Sequence, residues 1–270
     1  MTMELAIVGF GSLGRSIAHG AVQAKFLLPA QICVIPEPGA AGEESRTHAR
    51  DCGMQLATHD GLRDAKVIML SVKPQSFREV AAAIGEIPHD GPLVVSIMAG
   101  ISSAQIQTAL GGKARVCRVM PNMAASVRRA VTAIALDAQI TDADFKRVEG
   151  LCGSIGASVR VPESLFDAVT AASGSGPAFL YRFLESWERA GEHIGLPKDV
   201  AQTLARETLF GAAELLRVSG ASPRTLRAKV TSKGGTTAAG MAHLDAGLDV
   251  MVEQTLTSAR DRSTELSRDG

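Results

Sequence analysis

Aromatic residues are scarce, at 4% of 270 residues with one tryptophan and one tyrosine. Core and interfaces must therefore be filled by Ala, Val, Leu, Ile and Met, whose compact side chains let helices approach closely. Excess charge of either sign is also missing: 28 basic and 28 acidic residues sum to zero. That balance leaves no electrostatic footprint for nucleic acid or an anionic membrane, and neither is expected as a partner. The four cysteines, Cys33, Cys52, Cys117 and Cys152, contain no C-x-x-C pair, which excludes a zinc ribbon or a disulfide framework. Free thiols in a reducing compartment are the simplest account. The histidines His19, His48, His59, His89, His193 and His243 show no ligand spacing, so no metal is expected. No apolar run approaches the roughly 20 residues of a spanning helix. The first apolar segment carries Glu4 and lacks the basic and hydrophobic regions of a signal peptide, so a cytoplasmic protein is expected.

What is present points to two domains, the natural expectation for this length. Met3–Val8 reads as a buried strand and is followed at once by Gly9-Phe10-Gly11-Ser12-Leu13-Gly14 and a helical pattern through Ile17, Ala18, Ala21 and Val22. This is G-x-G-x-x-G between a strand and a helix. Its first glycine permits a tight turn, its second lets a pyrophosphate reach the backbone, and its third permits close helix–strand packing, with phosphates at the helix N-terminus. The second strand, Gln31–Ile35, ends in Pro36-Glu37-Pro38, where such folds choose between a ribose hydroxyl and a 2′-phosphate. A carboxylate there favours NADH. The opposing reading has Glu37 held outward by the prolines, with Arg46 or Arg50 reaching the phosphate of NADPH; both coenzymes stay open.

Strands Lys66–Val72, Leu93–Met98 and Arg115–Met120 alternate with helices near Gly42–Cys52, Ser76–Ile84 and Ser102–Leu110. Such alternation predicts a mostly parallel sheet covered on both faces, with ligands beyond the carboxyl ends of its strands. Three strand ends are therefore candidates: Ser71-Val72-Lys73-Pro74-Gln75, Met98-Ala99-Gly100 and Met120-Pro121-Asn122. After a strand pair around Val131–Leu136 and Ser158–Val161, with Asp142–Cys152 helical between, strand signal stops. The rest reads as helices at Glu163–Thr170, Pro177–Ile194, Lys198–Val218, Pro223–Val230, Thr237–Ala246 and Asp249–Ser267. The fold class expected is α/β: an N-terminal Rossmann-like, doubly wound domain over residues 1–161, then an all-α domain over 162–270.

Two further stretches are rich in glycine and hydroxyl groups. Asp167-Ala168-Val169-Thr170-Ala171-Ala172-Ser173-Gly174-Ser175-Gly176-Pro177-Ala178 leads into a helix, and Val230-Thr231-Ser232-Lys233-Gly234-Gly235-Thr236-Thr237-Ala238-Ala239-Gly240 opens another. Each reads either as a capped turn with close helix packing or as a place where backbone approaches a ligand. Together with the fingerprint they resemble the pyrroline-5-carboxylate reductase family across nearly the whole chain. Ser71–Gln75 is similar to that family's A-V-K-P-Q segment and Met120–Asn122 to its M-P-N motif. The resemblance implies an NADPH- or NADH-dependent reductase that gives proline, built as a homodimer or larger homo-oligomer. It implies cofactor contacts from Gly9 to Gly14, Glu37, Ser71, Val72, Lys73, Pro74 and Asn122. It also implies substrate contacts from Ser173, Gly174, Ser175, Gly235, Thr236 and Thr237, with Thr237 near the ring as the catalytic candidate. Lys73 reads more simply as a surface or ribose-side residue.

Departures from the pattern are Lys233, where many members have proline, and Arg128 and Ala130 at two glycine positions. If the Met123–Ala130 loop faces the pocket, another cyclic imino acid, such as the six-membered homologue, becomes an alternative substrate. A β-hydroxyacid dehydrogenase-like enzyme is a further alternative, weakened because Gly174–Tyr181 lacks the lysine such enzymes carry. A non-catalytic nucleotide-binding regulator is the remaining one.

Overall fold

The computed structural model describes residues 3–136 and 140–269. The first part of the chain runs β1 (Met3–Val8), α1 (Ser12–Gln23), β2 (Ile32–Ile35), α2 (Ala40–Asp51), β3 (Gln55–Leu56), β4 (Ala65–Leu70), α3 (Phe77–Ile84), β5 (Leu93–Ser96), α4 (Ser103–Ala109), β6 (Val116–Met120), β7 (Ala130–Leu136), α5 (Asp142–Gly153) and β8 (Gly156–Pro162). Helices follow: α6 (Phe166–Val169), α7 (Gly176–His193), α8 (Lys198–Ser219), α9 (Pro223–Lys229), α10 (Thr236–Asp245) and α11 (Leu248–Asp269). Among the described residues the strands form one sheet in the order β3-β2-β1-β4-β5-β6-β7-β8. All neighbours pair in parallel except β6 with β7. The doubly wound reading holds, and the order reverses between β1 and β4, where a ligand crevice is expected.

The strands are continuous apolar runs because both faces of the sheet are buried. Leu5 and Ile7 of β1 and Val67 and Met69 of β4 pack on one side with Ile17, Ala18 and Ala21 of α1 and Phe145, Val148 and Leu151 of α5. Ala6, Val8, Ile68 and Leu70 point to the other side, against Phe77, Ala81 and Ile84 of α3 and Ile106 of α4. Each fully buried Leu, Ile, Phe or Met contributes about 1.5–3 kcal/mol, so this pairing of period 2 with period 3.6 drives the layering. Capping boxes start α4 at Ser102 and α5 at Thr141. Asp144 in the first turn of α5 is buried and takes an ion pair from Arg115, whose other guanidinium N–H groups donate to the carbonyls of His89 and Gly91.

The chain divides into two compact units, Met1–Ser175 with Ser258–Gly270, and Gly176–Thr257. The break near Pro162 marks the end of β8, whereas the division in contacts falls after Ser175. The last turns of α11 belong to the first unit, where Ser263 and Thr264 donate to Asp167 at 2.7 and 2.9 Å. In the second unit α7 and α8 pair closely: a methyl at Gly191 would lie 3.0 Å from the Ala201 methyl. No residue of α7 is buried, and Tyr181, Phe183, Trp187, Phe210 and Leu215 stand exposed.

Candidate active site

The turn after β1 shows a different physical need at each of its three glycines. Gly9 has φ +86°, and a side chain there would put Cβ 2.6 Å from the Ser71 carbonyl oxygen. Gly14 is buried, and its Cβ would lie 2.8 Å from Ser71 Oγ and 3.0 Å from the Gly9 carbonyl. Both glycines therefore seat the turn on the end of β4. Gly11 is exposed with nothing within 4 Å of an added Cβ, so its backbone stays open to a ligand. It also precedes α1 without a side-chain cap, and no acidic residue stands in the first turn. The free N–H groups around Ser12 and Leu13 can thus take an anion. Phe10 is fully buried, and Arg15 Nε donates to its carbonyl at 2.9 Å while Nη1 and Nη2 reach Glu44 and Ser45 at 2.7 and 3.1 Å. Arg15 and Ser45 brace the turn and were not singled out in the sequence; a basic residue directly after the third glycine was the available signal.

Glu37 makes two contacts that fix where its carboxylate points. Its carboxylate accepts the Phe10 N–H at 3.3 Å through one oxygen and the Ser45 hydroxyl at 3.4 Å through the other. The group is half-buried and turned toward the glycine turn, not held outward by the prolines. Arg46 pairs with Glu43 at 2.8 Å. A Cβ on Gly42 would fall 1.7 Å from the Glu37 carbonyl oxygen, so the first turn of α2 rests on the Glu37 backbone and requires glycine there.

The other strand ends gather beside this turn. Ser71 N–H donates to the Val8 carbonyl at 2.8 Å, which extends the β1–β4 pairing by one step. Val72 is half-buried, Lys73 is exposed, and Pro74 opens a short 3₁₀ turn. Asn122 Oδ1 accepts the Ala124 N–H at 3.2 Å, and its Nδ2 donates to the carbonyl and the hydroxyl of Ser173, both at 3.4 Å. A Cβ on Gly174 would meet Met120 Cε at 2.8 Å. The M-P-N turn and the Ser173-Gly174-Ser175 stretch are therefore in contact. Residues Thr170–Gly174 form a π-helical turn closed by the Ser175 N–H to the Thr170 carbonyl at 2.8 Å, between the helices expected to end at Thr170 and to begin at Pro177. Such turns recur at functional sites, and helical periodicity gives no sign of them. A cavity of about 590 Å³ opens beyond β4 and β5, lined by Pro74, Ala99, Gly100, Thr170, Ser175 and Ser263.

Arg128, at φ +55°, directs its Nε to the Ser154 carbonyl at 3.1 Å. The altered loop thus spends this arginine on a structural contact. On the second unit, Gly234 takes φ +73° and Gly235 caps α10 through backbone alone, because its Cβ would lie 2.5 Å from Ser232 Oγ. No acid occupies the first turn of α10; Thr236 is exposed and Thr237 half-buried. This is a second uncapped helix start of the kind that takes a carboxylate.

A family model described as pyrroline-5-carboxylate reductase dimerisation matches residues 163–266, and one described as NADP oxidoreductase, coenzyme F420-dependent, matches residues 4–100. The chain is 34% identical over 269 residues to a pyrroline-5-carboxylate reductase of Synechocystis sp., covering 99% of this chain and all of that one. It is also 34% identical to the Pseudomonas aeruginosa protein of the same name, covering 98% and 97%. Among solved structures, the pyrroline-5-carboxylate reductase of Coxiella burnetii superposes with a TM-score of 0.89 at 29% identity, covering 99% of each chain.

Proposed function

Since the chain belongs to the pyrroline-5-carboxylate reductase family, we propose that it reduces 1-pyrroline-5-carboxylate to L-proline, NADH or NADPH supplying, when bound, the hydride that the imine carbon receives. The observation that carries this reading is a dinucleotide turn open at Gly11 and braced at Gly9 and Gly14, in a chain that matches curated reductases end to end. The turn fits the coenzyme because the first turn of α1 has neither a side-chain cap nor an acid, which leaves the amides around Ser12 and Leu13 for a pyrophosphate, while the Phe10 N–H is taken by Glu37.

Each group then has a defined task. Amides around Gly11–Leu13 hold the pyrophosphate, with Gly9 and Gly14 shaping the turn, Glu37 accepts a ribose hydroxyl, and Ser71, Val72, Lys73 and Pro74 line the nicotinamide ribose. Asn122, fixed by Ser173, orients the nicotinamide side, and Ser173, Gly174 and Ser175 form the adjoining wall. The amides of Gly235 and Thr236 bind the substrate carboxylate. The Thr237 hydroxyl oxygen accepts the N–H of the protonated imine, the proton that proline keeps on nitrogen once hydride has reached the carbon. A protonated imine is already electrophilic, so positioning and exclusion of water carry the rate, and no charged catalytic dyad is required.

Arg128 is engaged with Ser154, so the altered loop gives no observation in favour of a larger cyclic imine. The family match over 163–266 and the exposed apolar residues of α7 and α8 support a homo-oligomer built from dimers. Among the described residues no helix is long and apolar enough to cross a membrane, and we place the enzyme in the cytoplasm. The test is oxidation of NADPH and of NADH, measured separately, by purified protein with the five-membered imino acid and with its six-membered homologue. Rapid turnover on the five-membered ring is expected. Turnover on the larger ring alone would transfer the assignment, and coenzyme binding without turnover on either would replace it with a regulator.

A further inference from the structure

Behind the glycine turn, α1 and α2 bring together three side chains that the reaction does not use. His19 Nε2 and His48 Nε2 are 2.7 Å apart, with the rings edge-on at 78°. Cys52 follows His48 by one helical turn at the end of α2, and its Sγ lies 3.9 Å from the same His19 nitrogen. All three donor atoms fall within 4.8 Å of one another, and all three residues are half-buried. We propose that His19, His48 and Cys52 form a zinc site that pins α1 to α2.

Donor chemistry selects the ion. Two imidazole nitrogens and a thiolate suit zinc, whereas magnesium and calcium require oxygen ligands. Tetrahedral zinc with ligands at about 2.0–2.3 Å sets nitrogens about 3.4 Å apart and nitrogen and sulfur about 3.6 Å apart. The separations of 2.7 and 3.9 Å bracket those values, so small side-chain rotations complete the shell, with water as the fourth ligand. At 2.7 Å the two rings can share one proton between them, and a metal replaces that proton by taking both lone pairs. Burial, then the charges of His48 and Arg15, hold the pKa of His19 below its ordinary value. The Arg15 charge is offset by Glu44 at 2.7 Å.

Sequence spacing among histidines did not disclose this group. Its local half is the pair His48 and Cys52, four residues apart on one helix face, and its third member comes from another helix. The site lies next to the cofactor turn, since the His48 ring stands 6.1 Å from that of Phe10.

The test uses the full-length protein, stripped of metal by chelation under reducing conditions and titrated with Co²⁺ as an optical probe. One equivalent is expected to give tetrahedral ligand-field bands and thiolate-to-cobalt charge transfer, both erased by Zn²⁺. Cys52→Ser should remove the charge-transfer band, and His19→Ala or His48→Ala should weaken Co²⁺ binding at least about tenfold. Zinc at a hundredfold excess over its Kd should raise the Tm of the unmodified protein by about 5 °C and leave that of Cys52→Ser unchanged. Thermal unfolding without metal confirms that each variant is folded. A weak octahedral cobalt spectrum, or a charge-transfer band that survives Cys52→Ser, would overturn the proposal and leave the three residues as a hydrogen-bonded cluster.

Discussion

Replacing Glu37 by glutamine keeps an oxygen acceptor for the Phe10 N–H and removes a negative charge from the ribose corner of the dinucleotide turn. A 2′-phosphate would sit about 5 Å from that carboxylate, and at an effective dielectric of about 40 each phosphate charge would feel about 1.7 kcal/mol of repulsion. Salt screening and side-chain adjustment at a half-buried position reduce the sum for a dianion to about 2 kcal/mol. That corresponds to about a 30-fold preference for NADH over NADPH. The assay is kcat/KM for each coenzyme at saturating imino acid, in both proteins, at low and moderate ionic strength. Glu37→Gln is expected to raise the NADPH value by about 30-fold with little change for NADH, and added salt should shrink the wild-type gap. A wild type that prefers NADPH, with a ratio that Glu37→Gln leaves within about threefold, would refute the reasoning. In that event the carboxylate seen against Phe10 and Ser45 must leave when coenzyme binds.

Further outcomes can be checked in the same protein. Thr237→Val should lower kcat by about 100-fold with coenzyme affinity unchanged; a rise in KM alone would restrict the hydroxyl to binding. Gly9→Ala forces Cβ against the Ser71 carbonyl at φ +86°, and should cost about 3 kcal/mol in urea unfolding along with loss of dinucleotide binding. Arg115→Met leaves the buried Asp144 carboxylate with Arg147, at 3.7 Å, as its remaining cation beside the Thr141 hydrogen bonds, and should cost about 3 kcal/mol at neutral pH. Burial pushes the Asp144 pKa up, but hydrogen bonds from Arg115 and Thr141 outweigh it and hold the group below its ordinary value. The contribution is therefore complete above the unfolded carboxylate value near about 4 and is lost as pH falls through the folded value. Unfolding curves of the two proteins should converge in that acid range, and a gap that stays constant to low pH would show that the ion pair is not its source.

Much of the fold could be read from residue order because its causes are local. Apolar runs such as Leu5-Ala6-Ile7-Val8 must be buried on both faces, and glycine at positions 9, 11 and 14 sets a turn whose backbone alone meets the ligand. Helix starts at Thr236 and Ser12 likewise follow from small or hydroxylated residues placed after glycine. The two-residue β3 and the π-helical turn at Thr170–Gly174 were not foreseen. One is too short to carry a pattern, and the other differs from an α-helix by a single shifted hydrogen bond.

Contacts between distant residues decided the rest. Glu37 faces inward because Phe10, 27 positions earlier, offers it an N–H; Asn122 is held by Ser173, 51 positions later; and His19 meets His48 across 29 positions. By itself the sequence determined the elements, the sheet class and the places where a ligand touches backbone, since sterics and periodicity act within a few residues. Only the tertiary structure decided which way the side chains of Glu37, Arg128, His19 and Cys52 turn. Their partners lie on other elements, and the free energy of each pairing exists only after the elements pack.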